Sequence, residues 1–124
     1  VSQTFGKVIR QARKDKGYSQ RELAKLVDVD YTYLSKLEND HAAYPPSKEV
    51  IQLLVLTLDL TEREEELMYL AGRITSDDEK IFGELLKTYN KQVPALLRRM
   101  QENPDFAKKL LRDATQSDQQ EKPN

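Results

Sequence analysis

Ser19-Gln20-Arg21-Glu22-Leu23-Ala24 and, after Lys25-Leu26-Val27-Asp28, the run Val29-Asp30-Tyr31-Thr32-Tyr33-Leu34-Ser35-Lys36-Leu37-Glu38-Asn39 decide the fold. Ser19 and Glu22 have the spacing of a capping box. The Ser hydroxyl takes the Glu22 amide, and the Glu22 carboxylate reaches back to the Ser19 amide. Leu23, Ala24 and Val27 then face inward on a short helix, which Asp28-Val29-Asp30 breaks. Asp30 is placed to cap a next helix from Tyr31 to about Asn39. Its inward residues are Leu34 and Leu37, and its outward residues are Tyr31, Thr32, Ser35 and Lys36. Ala24 is small enough to let the two helices approach, and Val29 plugs the core beneath the turn.

Outward from this pair, every long segment reads as helix. Phe5, Val8, Ile9 and Ala12 repeat at helical spacing, and Gly17 suits the position just past that first helix. Ser47 caps a fourth helix carrying Val50, Ile51, Leu53, Leu54 and Leu58, apolar on most faces and so expected at the centre of the core. Thr61-Glu62-Arg63-Glu64 reads as a second capping box, opening a fifth helix with Leu67, Met68, Leu70 and Ala71 before Gly72. Ser76-Asp77-Asp78-Glu79 reads as a third. It starts a helix with Ile81, Phe82, Leu85, Leu86 and Tyr89 on one side. Pro94 and Pro104 each fit the first turn of a further short helix, the latter capped by Asn103. These carry Val93, Leu96, Leu97 and Met100, then Phe106, Ala107, Leu110, Leu111 and Ala114. From Gln116 the sequence is polar and unpatterned, which predicts a disordered tail. The class is all-α: five helices in residues 1–73, a segment of about three short helices in 74–115, and a tail in 116–124.

The length of 124 residues fits one small domain with an appendage. Cysteine is absent and there is one histidine, which excludes disulfide scaffolds, cysteine zinc sites, iron–sulfur ligation and thiol catalysis. The longest apolar stretch, Val50 to Leu58, is far short of the roughly 20 residues a membrane helix needs. No membrane association is expected, and a cytoplasmic location is. The net charge of −1 hides an asymmetry. Residues 1–36 hold eight Lys or Arg against four acids, whereas 59–66 hold five acids and one Arg. Glu62 to Glu66 reads as a solvated helix start, since acids favour helix N-termini and no calcium-loop spacing accompanies them. No metal, cofactor or catalytic constellation is expected.

Two short helices joined by a tight turn, with a polar outward face on the second, form a helix-turn-helix. Its second helix fits a DNA major groove roughly 12 Å wide. The stretch from Gln20 to Asn39 resembles the Cro/phage-repressor (Xre-type) helix-turn-helix family, through Gln-x-x-Leu-Ala and Leu-Ser-x-Leu-Glu at this spacing. The resemblance covers roughly Phe5 to Gly72 and implies a five-helix, lambda-repressor-like domain. It implies that Gln20 contacts DNA backbone or a base edge and that Ser19 offers its amide to a phosphate. It puts Tyr31, Thr32, Ser35 and Lys36 on the base-reading face, and Asn39 near the opposite phosphate strand. It also implies a partly buried ion pair between Arg13 and Glu38. Arg10, Lys14, Arg21 and Tyr33 complete the expected DNA contacts, with Tyr33 divided between phosphate and packing. This sequence departs from the family at Asp28 and Asp40, where relatives usually carry Gly, and in the loop His41-Ala42-Ala43-Tyr44, which has no basic residue.

A single helix-turn-helix covers half a turn of duplex, and specific affinity normally needs two half-sites. The apolar stripes after residue 76 have two readings, packing back onto the first five helices as ordinary core or making a homodimer. The second is favoured, since the first five helices look complete without a further layer, with Ile81, Phe82, Leu85, Leu86, Tyr89, Leu96, Leu97, Met100, Phe106, Leu110 and Leu111 as the expected interface. The expectation is a DNA-binding transcriptional regulator, a repressor acting as a dimer on palindromic double-stranded operator DNA, controlled by a protein partner or a protease. The rival is an antitoxin-type autoregulator whose C-terminal helices bind another protein. An enzyme is not expected.

Overall fold

The computed structural model describes residues 3–121, with side chains through residue 116. All regular structure among these residues is helical, and the chain divides into two compact units, Val1–Ser76 and Asp77–Asn124.

The first unit contains α1 (Phe5–Asp15), α2 (Gln20–Leu26), α3 (Tyr31–Glu38), α4 (Lys48–Thr57) and α5 (Glu64–Leu70). Side-chain caps begin three of them. Thr4 accepts the Lys7 N–H at 3.2 Å, Ser19 that of Glu22 at 3.0 Å, and Ser47 that of Val50 at 3.2 Å. All five end in one way, with a left-handed residue just past the helix: Gly17, Asp28, Asp40, Asp59 and Gly72, at φ between 56° and 85°. The next N–H then turns back onto the helix, as from Val29 to the Ala24 carbonyl at 2.9 Å and from His41 to that of Lys36 at 2.8 Å. Asp tolerates this conformation better than most residues, so the turns at Asp28 and Asp40 form without Gly.

One core holds the unit together. Phe5, Val8 and Ile9 of α1, Leu23 and Ala24 of α2, Leu34 and Leu37 of α3, Ile51, Leu54 and Val55 of α4, and Leu67 and Met68 of α5 are all buried, with Val27 and Leu58. Two details differ from the sequence reading. α4 buries one face only: Leu53 and Leu56 are 41% and 69% exposed, because a unit this small leaves every helix a solvent side. Thr61 does not form a capping box. The chain leaves the left-handed turn at Asp59 with Leu60 packed on the core, and the Arg63 N–H closes a 3-10 turn (Thr61–Arg63) onto the Leu60 carbonyl at 2.9 Å before α5 begins. Asp30 stands at the N-cap position of α3 without a side-chain cap bond.

The helices of the remainder are α6 (Ser76–Thr88), α7 (Gln92–Glu102) and α8 (Pro104–Glu121). Asn103 caps α8 by accepting the Phe106 N–H at 3.1 Å, and α7 packs on α8 with the Arg99 guanidinium 4.0 Å from the Phe106 ring centroid. No side chain from Ser76 to Gln116 is buried. The tail expected from 116 differs in part: α8 runs on to Glu121, since the stretch carries no Gly or Pro before Pro123 and helix propagation needs only one further bond per residue. Residues 122–124 lie outside the described residues. No helix among the described residues is long and apolar enough to cross a membrane.

Candidate nucleic-acid interface

α3 is anchored by Leu34 and Leu37, and this turns Tyr31, Thr32 and Lys36 to solvent. Ser35 is half-buried, and its carbonyl accepts the Asn39 side-chain amide at 2.8 Å. Tyr33 is packed against the core, leaving only part of its ring exposed.

Beneath this face lies a network that ties all three N-terminal helices together. Arg13 donates from Nε to Glu38 Oε2 at 2.7 Å and from Nη2 to Oε1 at 3.0 Å. Its Nη1 donates to the Tyr18 carbonyl at 2.9 Å. The Glu38 side chain is fully buried and that of Arg13 is 11% exposed, so each charge is matched where water cannot reach it. Among the described residues no buried side-chain N or O atom lacks a partner. Gln20 joins the network by donating its amide to Glu38 Oε1 at 3.0 Å. The start of α2 is thereby fixed to the end of α3.

The capping box alters the role of Ser19. Its N–H is taken by the Glu22 carboxylate at 2.9 Å, so the amide that the resemblance offers to a phosphate is already engaged. The same N–H, followed by the Ser19 hydroxyl, holds the Glu22 carboxyl below its ordinary value. At the C-terminal end of α1, Lys16 pairs with Asp59, and that hydrogen bond raises the lysine pKa.

Arg10, Arg13, Ser19, Gln20, Arg21, Tyr31, Ser35 and Asn39 line one open concavity of about 530 Å³. Thr32 and Lys36, exposed on α3, and Lys14, exposed on α1, lie outside that lining. Two features were not legible in the sequence. The Arg21 guanidinium sits 4.4 Å from the Tyr31 ring centroid. Arg73 donates to the carbonyls of Pro46 at 2.9 Å and Pro45 at 3.3 Å, securing the loop between α3 and α4 beside Tyr44, which is 82% exposed. The proximity of Arg21 to Tyr31 follows from any helix-turn-helix, but the pairing depends on rotamers. Arg73 gave no signal, being remote in sequence.

The residues expected to dimerise are placed differently. Ile81, Leu85, Tyr89, Leu96, Leu97, Leu110 and Leu111 are exposed by 36% to 56%. Phe82, Leu86, Met100 and Phe106 are half-buried.

Comparison with known proteins bears on the first unit. Residues 9–64 match the family model described as Helix-turn-helix. The matched residues run from within α1 to the start of α5, so the likeness to helix-turn-helix domains lies in the first unit. A solved SinR protein/SinI protein complex contains a similar chain, 27% identical, with a TM-score of 0.45, over 79% of this chain and 95% of that one. No curated protein matches the sequence.

Proposed function

We propose that the chain is a sequence-specific repressor that binds a palindromic operator as a homodimer. In this reading α3 enters the major groove, with Thr32, Ser35 and Lys36 facing base edges. Arg10 and Lys14 of α1 and Arg21 of α2 engage phosphates, and Asn39 lies at the far strand. Repression is steric, through occupation of successive grooves.

The observation that carries the dimer is the contrast between the two units. Val1–Ser76 has a core of its own, whereas no side chain from Ser76 to Gln116 is buried although the segment carries six Leu and two Phe besides Ile81 and Tyr89. Apolar area left in water forgoes about 25 cal/mol per Å². A second copy offers the same stripes and so covers them in a self-complementary way, as two-fold interfaces do.

Selection of operators from random duplex DNA, followed by footprinting, tests the reading. Two symmetric half-sites about 34 Å apart, or a multiple of it, support it. A single half-site occupied by one copy overturns it. A chain that stays monomeric until a second protein is added favours the partner-binding alternative.

A further inference from the structure

Arg21 is the second residue of α2 and Tyr31 the first of α3, so the break between the helices brings them together. The guanidinium lies over the ring at 4.4 Å from its centroid, within the range of a cation–π contact. Both side chains are exposed and both line the concavity that Arg10, Ser19 and Gln20 share. Among the described residues the Arg21 guanidinium has no hydrogen-bond or ion-pair acceptor. The Arg13 fork is by contrast consumed by Glu38 and the Tyr18 carbonyl. Yet carboxylates are close: Arg21 also borders a second hollow with Asp28 and Asp30, and neither of them pairs with it.

Stacking leaves the five N–H donors of a guanidinium free at the rim of its plane, because the ring occupies a face and not an edge. The ring thus holds Arg21 stacked at the rim of the concavity, with its fork ordered before any anion arrives. The first helix of the motif crosses the DNA backbone, so the anion that meets the start of α2 is a phosphate.

We propose that Tyr31 is a positioning residue that holds Arg21 as a phosphate clamp, and that the tyrosine itself reads no base. This rests on the DNA-binding reading of the same surface. Its consequence is specific: the effect of Tyr31 on DNA passes through Arg21, and it needs the ring but not the hydroxyl.

The test measures binding of the full chain to a selected operator and to random duplex across a salt series. It uses the wild type, Arg21→Ala, Tyr31→Ala, Tyr31→Phe and Arg21→Ala/Tyr31→Ala, with thermal melting to verify folding. Arg21→Ala and Tyr31→Ala are each expected to lose a similar factor, about three- to tenfold, on both DNAs with base preference unchanged. Each should lower the salt slope by about 0.9 per clamp lost. Tyr31→Phe should match the wild type, and the double variant should lose no more than either single one. Additive losses, a Tyr31→Phe as weak as Tyr31→Ala, or a change of base preference in Tyr31→Ala overturns the clamp while leaving DNA binding intact. A wild type that binds neither duplex overturns both readings.

Discussion

The carboxylate of Asp40, just past α3, accepts the backbone N–H of Gly6 at 3.1 Å and the hydroxyl of Thr4 at 2.6 Å. It serves the first turn of α1 from 34 positions away in the chain. The approach is close enough that a Cβ on Gly6 would lie 2.4 Å from the Leu37 carbonyl oxygen and 2.6 Å from that of Glu38. These are backbone atoms of α3 and cannot rotate away. Gly6→Ala is therefore expected to destabilise the first unit by at least the upper part of the roughly 1–3 kcal/mol that overpacking costs. Asp40→Ala should lose about 0.5–2 kcal/mol, the usual worth of a helix cap, with added strain at φ 58°. Urea denaturation measures both, and a wild-type midpoint for Gly6→Ala would show that the two helices do not cross so closely.

Glu38→Ala should be more severe. It leaves the Arg13 guanidinium buried without its carboxylate, a loss of about 3–5 kcal/mol for a buried pair. It also frees the Gln20 amide, so DNA affinity should fall along with the melting temperature. Unchanged thermal stability would mean that the pair contributes nothing to the fold.

Much of the first unit was legible because its signals are local. Ser19, Ser47 and Gly17 act within one turn of their own helices, and the inward stripes follow the helical period. What escaped was long-range. Asp40 could be read as a departure from the glycine of relatives, but not as a cap for α1, because its partners Thr4 and Gly6 are brought to it only by packing. Gln20 likewise reads as a DNA contact from its position, while its bond to Glu38 needs the α2–α3 crossing. Thr61 carried the pattern of a cap, and the turn before it decided otherwise. The exposed half of α4 could not be told from its buried half by hydrophobicity alone, since Leu53 and Leu56 are as apolar as Leu54.

Acid should weaken the start of α2. The Glu22 carboxyl is held below its ordinary value by Ser19, chiefly through the backbone N–H. A group whose folded-state pKa is depressed stabilises the fold above its unfolded pKa and loses that contribution as pH falls through the folded value. Wild type should thus exceed Glu22→Gln in urea midpoint at about pH 7, and the difference should shrink as pH falls through the folded-state carboxyl pKa. A difference that persists in acid would place the contribution of Glu22 elsewhere than in its charge.

The two units should separate in solution. Sedimentation of the full chain is expected to give a dimer and residues 1–76 a monomer, because the first unit buries its own core and α6–α8 bury no side chain through Gln116. Leu97→Asp or Leu111→Asp, which put a charge into the exposed stripes, should shift the full chain toward monomer and weaken operator binding. If residues 1–76 dimerise as well as the full chain does, the interface lies in the first unit.

Base reading and anchoring should come apart on α3 and α1. Lys36 and Thr32 are four residues apart on the exposed face of α3, one turn of helix, so both can reach base edges in the major groove. The Lys36 ammonium suits guanine, whose O6 and N7 offer two acceptors side by side. Lys36→Ala should therefore cost about 1–3 kcal/mol on the operator and little on random duplex, relaxing preference at one position in each half-site. Arg10→Ala and Lys14→Ala should weaken operator and random duplex alike, since a phosphate is the same at every step. Selection from randomised operators with each variant reads the difference directly. If Lys36→Ala keeps the wild-type preference while losing affinity uniformly, Lys36 is an anchor. Base reading then falls to Thr32, Ser35 and Gln20, the first exposed on α3 and the other two lining the concavity beside it.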